Sequence, residues 1–224
     1  MATKDKSTWE RAIILANGPL PNPEAAQRYI RAGDWLICAD GGTRHALTLG
    51  LIPDVVIGDL DSLKPQFKAE LESQGVRFEV YPADKDQTDL ELALELAVTA
   101  GVRQIDILAV QGGRLDQSLA NLLLLTRPAW DRARVRAIVE DEVAWAVRGG
   151  QQVEINGSAG DRISLVPLAY QVTGVTLVGV KWPLAEATLE LGSTWSISNA
   201  LTASTAHLRV AEGMLLVIHE RQRG

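Results

Sequence analysis

VVIGDLDSL, from Val55 to Leu63, runs an apolar stretch straight into two aspartates, Asp59 and Asp61. A short helix and a strand later comes ADKDQTDLE, Ala83 to Glu91, which carries Asp84, Asp86 and Asp89. Carboxylates gathered at strand ends repel one another, so something positive is expected among them. The unbroken apolar run marks a strand buried on both faces, and such strands belong to parallel sheets covered by helices. The fold is read outward from here.

Upstream, RAIILANG (11–18) is an apolar strand ending in a glycine turn, and NPEAAQRYIRAG (22–33) reads as a helix with Pro23 near its start. WLICAD (35–40) is a second strand that runs into GGTRHALTLG, a helix entered through two glycines. Downstream, KPQFKAELESQG, a helix from about Asp89 to Ala100, and LDQSLANLLLLTR alternate with the strands RFEVYP, QIDILAV and VRAIVED. Thr88 and Glu91 have capping-box spacing ahead of the long helix. After Arg148 the pattern changes to short strands broken by Gly, Asn and Pro: QQVEI, RISLVPL, VTLVGVKW, ATLELG, HLRV and MLLVIHE. The expected fold class is α/β: an N-terminal Rossmann-like, mostly parallel sheet with helices on both faces, followed by a small all-β sandwich. The expected division is 1–148, the α/β domain, and 149–224, the β-sandwich domain.

Composition narrows the function. Of the 224 residues, 46% are apolar and 22% charged, as in a globular protein, and the net charge of −6 argues against nucleic-acid binding by phosphate neutralisation. The single cysteine, Cys38, excludes an internal disulfide and fits a reducing, cytoplasmic setting. No stretch has the length of a membrane span.

In an α/β sheet, ligands bind beyond the carboxyl ends of the strands. Asp40, Asp59, Asp61 and the Asp84–Asp89 group all fall there. If Asp59 to Asp61 is extended, both carboxylates share one side, and hard oxygen donors suit Mg²⁺ that shares its shell with substrate phosphates. Asp84 and Asp86 alone read better as caps and turns. GGRLDQSLAN (112–121) lies on the same sheet edge, where Gly112 and Gly113 let backbone come close to an anion at a helix N-terminus. Arg114 can fork onto phosphate oxygens, with Asp116 holding it or joining the metal shell. Asn17 and Gly18 serve the nucleotide side or form a plain turn. No P-loop, G-x-G-x-x-G, H-E-x-x-H or G-x-S-x-G pattern is present. His45, His207 and His219 read as surface or structural.

CADGGTRHAL, PDVVIGDLDSL, DKDQTDLELAL and GGRLDQSLANLLLL, in that order, closely resemble the catalytic domain of the thiamine pyrophosphokinase family. VGVKWPLAEATLELGSTWSISNAL (178–201) resembles its thiamine-binding β domain. Val180 stands where Leu is usual, and Ala200 where an acidic residue is common. The resemblance implies transfer of the pyrophosphoryl group of ATP to the hydroxyl of thiamine, giving thiamine diphosphate and AMP. It implies Asp59, Asp61 and Asp89 as Mg²⁺ ligands and Asp40 near the thiamine hydroxyl or the metal. Arg114 and Asp116 would order the phosphates, with Lys85, Thr88 and Gly113 as further ATP contacts. Trp182, Ser196, Ser198 and Asn199 would bind thiamine, and two chains would form a homodimer with each active site between one chain's α/β domain and the other's β domain. The rival reading is a phosphatase of the haloacid dehalogenase type, with Asp59 as nucleophile and Asp61 as acid/base. It leaves the β domain unexplained.

Overall fold

The computed structural model describes residues 9–61 and 63–222. The chain divides into two compact units, Met1–Glu140 and Asp141–Gly224. The division falls eight residues before the 148/149 boundary expected from sequence, and the difference is one strand. EVAWAVR (β7, Glu142–Arg148) pairs antiparallel along its whole length with the C-terminal MLLVIHE strand, from Glu142 opposite Glu220 to Arg148 opposite Met214.

The first unit carries β1 (Arg11–Leu15), α1 (Pro23–Gln27), β2 (Trp35–Ala39), α2 (Thr43–Thr48), β3 (Val55–Gly58), α3 (Pro65–Ser73), β4 (Arg77–Val80), α4 (Asp89–Thr99), β5 (Gln104–Leu108), α5 (Leu115–Leu124) and β6 (Arg134–Val139). Its strands are parallel, in the order β4-β3-β2-β1-β5-β6. Parallel crossovers are right-handed, so the reversal of direction between β1 and β5 sends the helices to both faces. The apolar residues of β1, β2 and β5 are almost fully buried, as the unbroken runs require. Cys38 lies among them on β2. Burial, and then the nearby Asp54 charge, pushes its thiol far above the usual range.

Two helices differ from expectation. α1 ends at Gln27 and does not reach Gly33: Tyr29 and Ile30 turn to i−3 bonds, and Arg11 Nη2 takes the Tyr29 carbonyl that a longer helix would need. α5 has no buried residue, and Leu115, Leu119 and Leu123, four apart, form an exposed apolar stripe; Leu115 is 84% exposed.

Asp106, fully buried in the middle of β5, locks three strands together. Arg136 on β6 grips it with two bonds of 2.6 and 2.7 Å, and Arg11 on β1 adds a third of 2.8 Å while also binding Asp34. Burial works to raise the Asp106 carboxyl, but the two guanidiniums outweigh it and hold the group below the usual range. Two of these strands, β1 and β5, end at the cleft described below.

The second unit adds β8 (Gln152–Asn156), β9 (Arg162–Pro167), β10 (Gln171–Val178), β11 (Leu184–Glu190), β12 (Asn199–Ala200), β13 (Thr205–Arg209) and β14 (Met214–Glu220). They form two antiparallel sheets, β7-β14-β9-β12 and β11-β10-β13-β8. VTLVGVKW, expected as one strand, is broken. β10 ends at Val178, Gly179 turns the chain at φ 81°, and a Cβ there would meet the Thr205 carbonyl at 2.5 Å. Trp182 therefore lies in the connection beyond the strand. Among the described residues no helix is long and apolar enough to cross a membrane.

Candidate active site

The strand order reverses between β1 and β5, and the loops that leave these two strands open a crevice at their carboxyl ends. A cleft of about 620 Å³ lies there. Asn17 and Gly18 after β1, Asp40 after β2, and Thr88 and Asp89 at the start of α4 form one side. Gly113, Arg114 and Asp116 after β5 form the other. Asp59 and Asp61 follow β3, one strand further along, and do not line this cleft.

The backbone is bent by force at the strand ends. Asp40, Leu60 and Ala109, all non-glycine, have φ of 42°, 63° and 56° just after β2, β3 and β5. Such conformations cost energy and collect where a structure holds groups for function. The turn at Leu60 also corrects one expectation. Asp59 and Asp61 are not in extended chain; the Asp59 carboxylate turns back and accepts the Asp61 N–H at 3.1 Å, and Asp61 is exposed. A local hydrogen bond has replaced the period of two.

Asp89 is the most constrained acid. It opens α4, whose cap is the expected one: the Thr88 hydroxyl accepts the Glu91 N–H at 3.2 Å. Lys85 Nζ stands 3.0 Å from Asp89 Oδ1, an ion-pair distance off the hydrogen-bond directions, so this buried oxygen receives no directed hydrogen bond. Burial pushes the Asp89 carboxyl above the usual range; Lys85 pulls the other way, and the charges of Asp40 and Asp59 add to the rise. The charges of Asp40 and Asp59 thus both bear on Asp89. Among the described residues, however, no three acidic, histidine or cysteine groups stand close enough to hold a metal by themselves.

Asp40 is steadied from the first strand. Arg44 on α2 donates to Asn17 Oδ1 at 2.8 Å, and Asn17 Nδ2 lies 3.4 Å from Asp40 Oδ2. His45 Nε2 meets the Gly18 carbonyl at 2.6 Å, so this histidine holds the loop after β1. Sequence reading named neither contact. A positive side chain one turn into a helix that follows a strand is the signal that was there to use.

Across the cleft, Arg114 is exposed and forks onto its neighbour Asp116, with Nε 3.1 Å and Nη2 2.5 Å from the two carboxylate oxygens. The Gly112 N–H is already taken, by the Ser118 hydroxyl at 2.9 Å. Gly113 faces open space.

In the second unit, the residues singled out for thiamine separate into two kinds. Asn199 is only 7% exposed; its Oδ1 accepts the Trp182 and Ala200 N–H groups and its Nδ2 donates to the Trp182 carbonyl. Ser196 is buried and donates to the Leu165 carbonyl at 2.7 Å. Trp182 is 55% exposed with Lys181 Nζ 4.5 Å from its ring centre, and Ser198 is exposed at φ 61°. Asn199 and Ser196 hold the surface, and Trp182 and Ser198 present it.

Comparison with known proteins adds the chemistry. The family model described as thiamin pyrophosphokinase, catalytic domain, matches residues 26–138. The one described as thiamin pyrophosphokinase, vitamin B1 binding domain, matches residues 151–215. The chain is 34% identical over 206 residues to the thiamine pyrophosphokinase of Bacillus subtilis (strain 168), covering 92% of this chain and 96% of that protein. Among solved structures it is similar to the Bacillus subtilis thiamine pyrophosphokinase, with a TM-score of 0.83 at 31% identity over 95% of this chain and all of that one. It is also similar to the thiamin pyrophosphokinase of Geobacillus thermodenitrificans, with a TM-score of 0.81 at 30% identity over 96% and 99%. These matches leave the phosphatase reading without support.

Proposed function

The chain belongs to the thiamin pyrophosphokinase family, and we propose how its side chains divide the transfer of a pyrophosphoryl group from ATP to thiamine. The thiamine hydroxyl oxygen attacks the β-phosphorus and loses its proton to solvent, the bond from that phosphorus to the oxygen bridging to the α-phosphorus breaks, and AMP leaves with that oxygen. Such a transfer needs little covalent help, so positioning and charge stabilisation carry the rate.

The carrying observation is that Asp40, Asp89 and Arg114 face one cleft at the point where the strand order reverses. Arg114, exposed and planar, exchanges its Asp116 partner for phosphate oxygens, and Asp116 restrains it between turnovers. Lys85 and Thr88 add contacts beside the phosphates, and Asn17, Gly18 and Gly113 shape the walls. Asp40 accepts a hydrogen bond from the thiamine hydroxyl and aims it.

The residues fit Mg²⁺ as a shared ion and not as a closed protein cage. Asp89 Oδ1 is buried without a directed hydrogen bond, and the Asp40 and Asp59 charges bear on it. Hard oxygens of this kind suit an ion that keeps waters and takes phosphate oxygens. Asp59, Asp61 and Asp89 would hold it, and when bound it offsets charge on the triphosphate. Thiamine, flat and cationic, takes the exposed face of Trp182, with Ser198 at its edge, while Ser196 and Asn199 set their positions.

The site works in a homodimer. The leucine stripe of α5 is apolar surface that a second copy covers. The buried lone cysteine fits a reducing compartment, the cytoplasm. One assay tests the reading: purified protein with ATP, Mg²⁺ and thiamine yields AMP and thiamine diphosphate in equal amounts. Release of inorganic phosphate without thiamine diphosphate would refute it.

A further inference from the structure

A buried polar side chain costs free energy unless its partners are supplied, so a group of them marks a place that the fold holds in one arrangement. Among the described residues of the second unit, the buried polar side chains are Asp161, Ser164, Ser196, Asn199 and His219. All five bear on the surface that Trp182 and Ser198 present. Ser196 and Asn199 belong to the presenting segment itself. Asp161 and Ser164 stand behind it at the start of β9, and His219 lies on β14, opposite Ile163 of β9.

Ser164 acts on Ser198 directly. Its hydroxyl oxygen accepts the Ser198 N–H at 3.0 Å, and Ser198 is a non-glycine residue at φ 61°. Such a conformation persists only where neighbours fix it. Asp161 acts through the backbone. Its carbonyl accepts the Leu201 N–H at 2.9 Å, and the Gly160 N–H donates to the Leu201 carbonyl at 2.8 Å. The Ala200 carbonyl accepts the Lys181 N–H at 2.8 Å, and Asn199 takes both backbone groups of Trp182. The Trp182 segment is thus tied to 199–201, and 199–201 is tied to the turn that holds Asp161.

The Asp161 side chain fixes that turn. Oδ1 accepts the Gln222 N–H at 3.0 Å, and Oδ2 accepts the Ser158 N–H at 2.9 Å and meets His219 Nε2 at 3.1 Å. Burial works to raise the Asp161 carboxyl, but these bonds outweigh it and hold the group below the usual range. An ionised carboxylate only accepts, so His219 Nε2 carries the hydrogen and donates. A Cβ on Gly157 would meet Asp161 Oδ2 at 2.4 Å and His219 Nε2 at 2.9 Å, so backbone closes directly over the pair.

We propose that Ser164 and the Asp161–His219 pair are positioning residues for thiamine: buried behind the surface, they set its affinity by fixing Ser198 and the Trp182 segment. The inference rests on the reading of Trp182 and Ser198 as the thiamine face. Ser164 holds the strained Ser198 backbone, so losing its hydroxyl frees the edge contact to turn away. His219 holds Asp161, so losing its donor loosens the turn to which 199–201 and then Trp182 are tied. A ring face and an edge group held in advance bind a flat ligand without the cost of ordering them.

The test is steady-state kinetics with ATP, Mg²⁺ and thiamine on the wild type, Ser164→Ala, Ser164→Thr, His219→Leu, His219→Gln and Trp182→Ala. Amide hydrogen exchange at Ser198 and Trp182, read by NMR, accompanies it. Ser164→Ala and His219→Leu raise the thiamine KM about fivefold or more, with kcat and the ATP KM within about twofold of wild type. Ser164→Thr keeps the hydroxyl and His219→Gln keeps a donor, and both recover most of the wild-type affinity. The Ser198 amide exchanges faster in Ser164→Ala, and the Trp182 amide in His219→Leu. A thiamine KM unchanged in Ser164→Ala and His219→Leu while Trp182→Ala raises it would overturn the proposal alone, as would thiamine and ATP KM values that rise together. A wild-type thiamine KM in Trp182→Ala would instead overturn the thiamine reading of this face, and the proposal with it.

Discussion

Gly58 and Asp89 touch so closely that a single methyl group on the glycine would lie 3.2 Å from Asp89 Oδ1, and 3.1 Å from Asp40 Cβ. The end of β3 is thus the wedge between two acids of the cleft. At φ 148° Gly58 also occupies backbone space that an L side chain enters only with strain. Gly58→Ala is expected to cost about 1–3 kcal/mol of stability and to lower kcat at least about tenfold by displacing the carboxylates. Thermal denaturation alongside steady-state kinetics checks both; a variant with normal kcat would show that the acids tolerate being moved.

Burial sets the Asp89 carboxyl above the usual range, so its surroundings disfavour the charged form. The sign follows: the folded state takes the proton more readily than the unfolded chain, so stability from this group is fully present below the ordinary carboxylate value and declines as pH rises through the folded one. Asp89→Asn is therefore expected to leave the melting temperature of the metal-free protein unchanged or higher, while activity falls about 10²–10³-fold. The variant should also lose the rise in melting temperature that Mg²⁺ with ATP gives the wild type. A destabilised but active Asp89→Asn protein would reverse the assignment.

Arg114 faces solvent and pairs with Asp116 within its own turn, so Arg114→Lys should leave the fold untouched. Charge is kept and the two-pronged geometry lost. The expected result is weaker binding of ATP and of inorganic triphosphate by about tenfold or more, with thiamine binding unaffected. Equal loss of both substrates would mark the arginine as a structural group.

In the second unit, two substitutions separate support from contact. Asn199→Ala strands the Trp182 N–H and carbonyl and is expected to cost about 1–3 kcal/mol, visible as a lower denaturant midpoint, together with a higher KM for thiamine. Trp182→Ala is expected to raise that KM as much with no change in midpoint, because the ring is more than half exposed. Trp182→Phe should recover part of it. An unchanged thiamine KM in Trp182→Ala would remove the ring from the site.

His219 gives the β unit an acid limit. Burial pushes its imidazole below the ordinary value of 6.5, and Asp161, 3.1 Å away, offsets only part of this. With the folded value depressed, the stability His219 contributes is complete above pH 6.5 and is lost as pH falls through the folded value. Melting temperature should thus begin to fall below that pH, and His219→Gln should flatten that fall. An identical profile in the variant would locate the transition elsewhere.

Much of this was legible in the order of residues, and the rest was hidden for definite reasons. The parallel sheet followed from VVIG and WLICA, and the cap of α4 from Thr88 and Glu91, since both depend on local pattern. What pattern cannot reveal is which polar group a neighbouring element consumes. Asn199 and Ser196 look like ligand groups in SISNA, yet backbone carbonyls and amides of the fold claim them. Asp59 looked like half of an alternating pair until a left-handed Leu60 turned the chain. α1 stopped short because Arg11, earlier in the chain, captured a carbonyl it needed. Each of these outcomes was decided by a partner distant in sequence or by a backbone angle that a non-glycine residue does not advertise.

The cysteine on β2 has a use of its own. Cys38 is the chain's sole sulfhydryl, sits two residues before Asp40, and is sealed and protonated in the native state. A thiol reagent therefore stays silent on the intact molecule and reacts only when β2 comes open, which makes alkylation a clock for local opening at the heart of the cleft. Nucleotide that ties the loops after β1 and β5 together slows that clock in proportion to occupancy. The same silence leaves the background blank, so a cysteine placed at Ser198 would be the one reactive handle for a fluorophore.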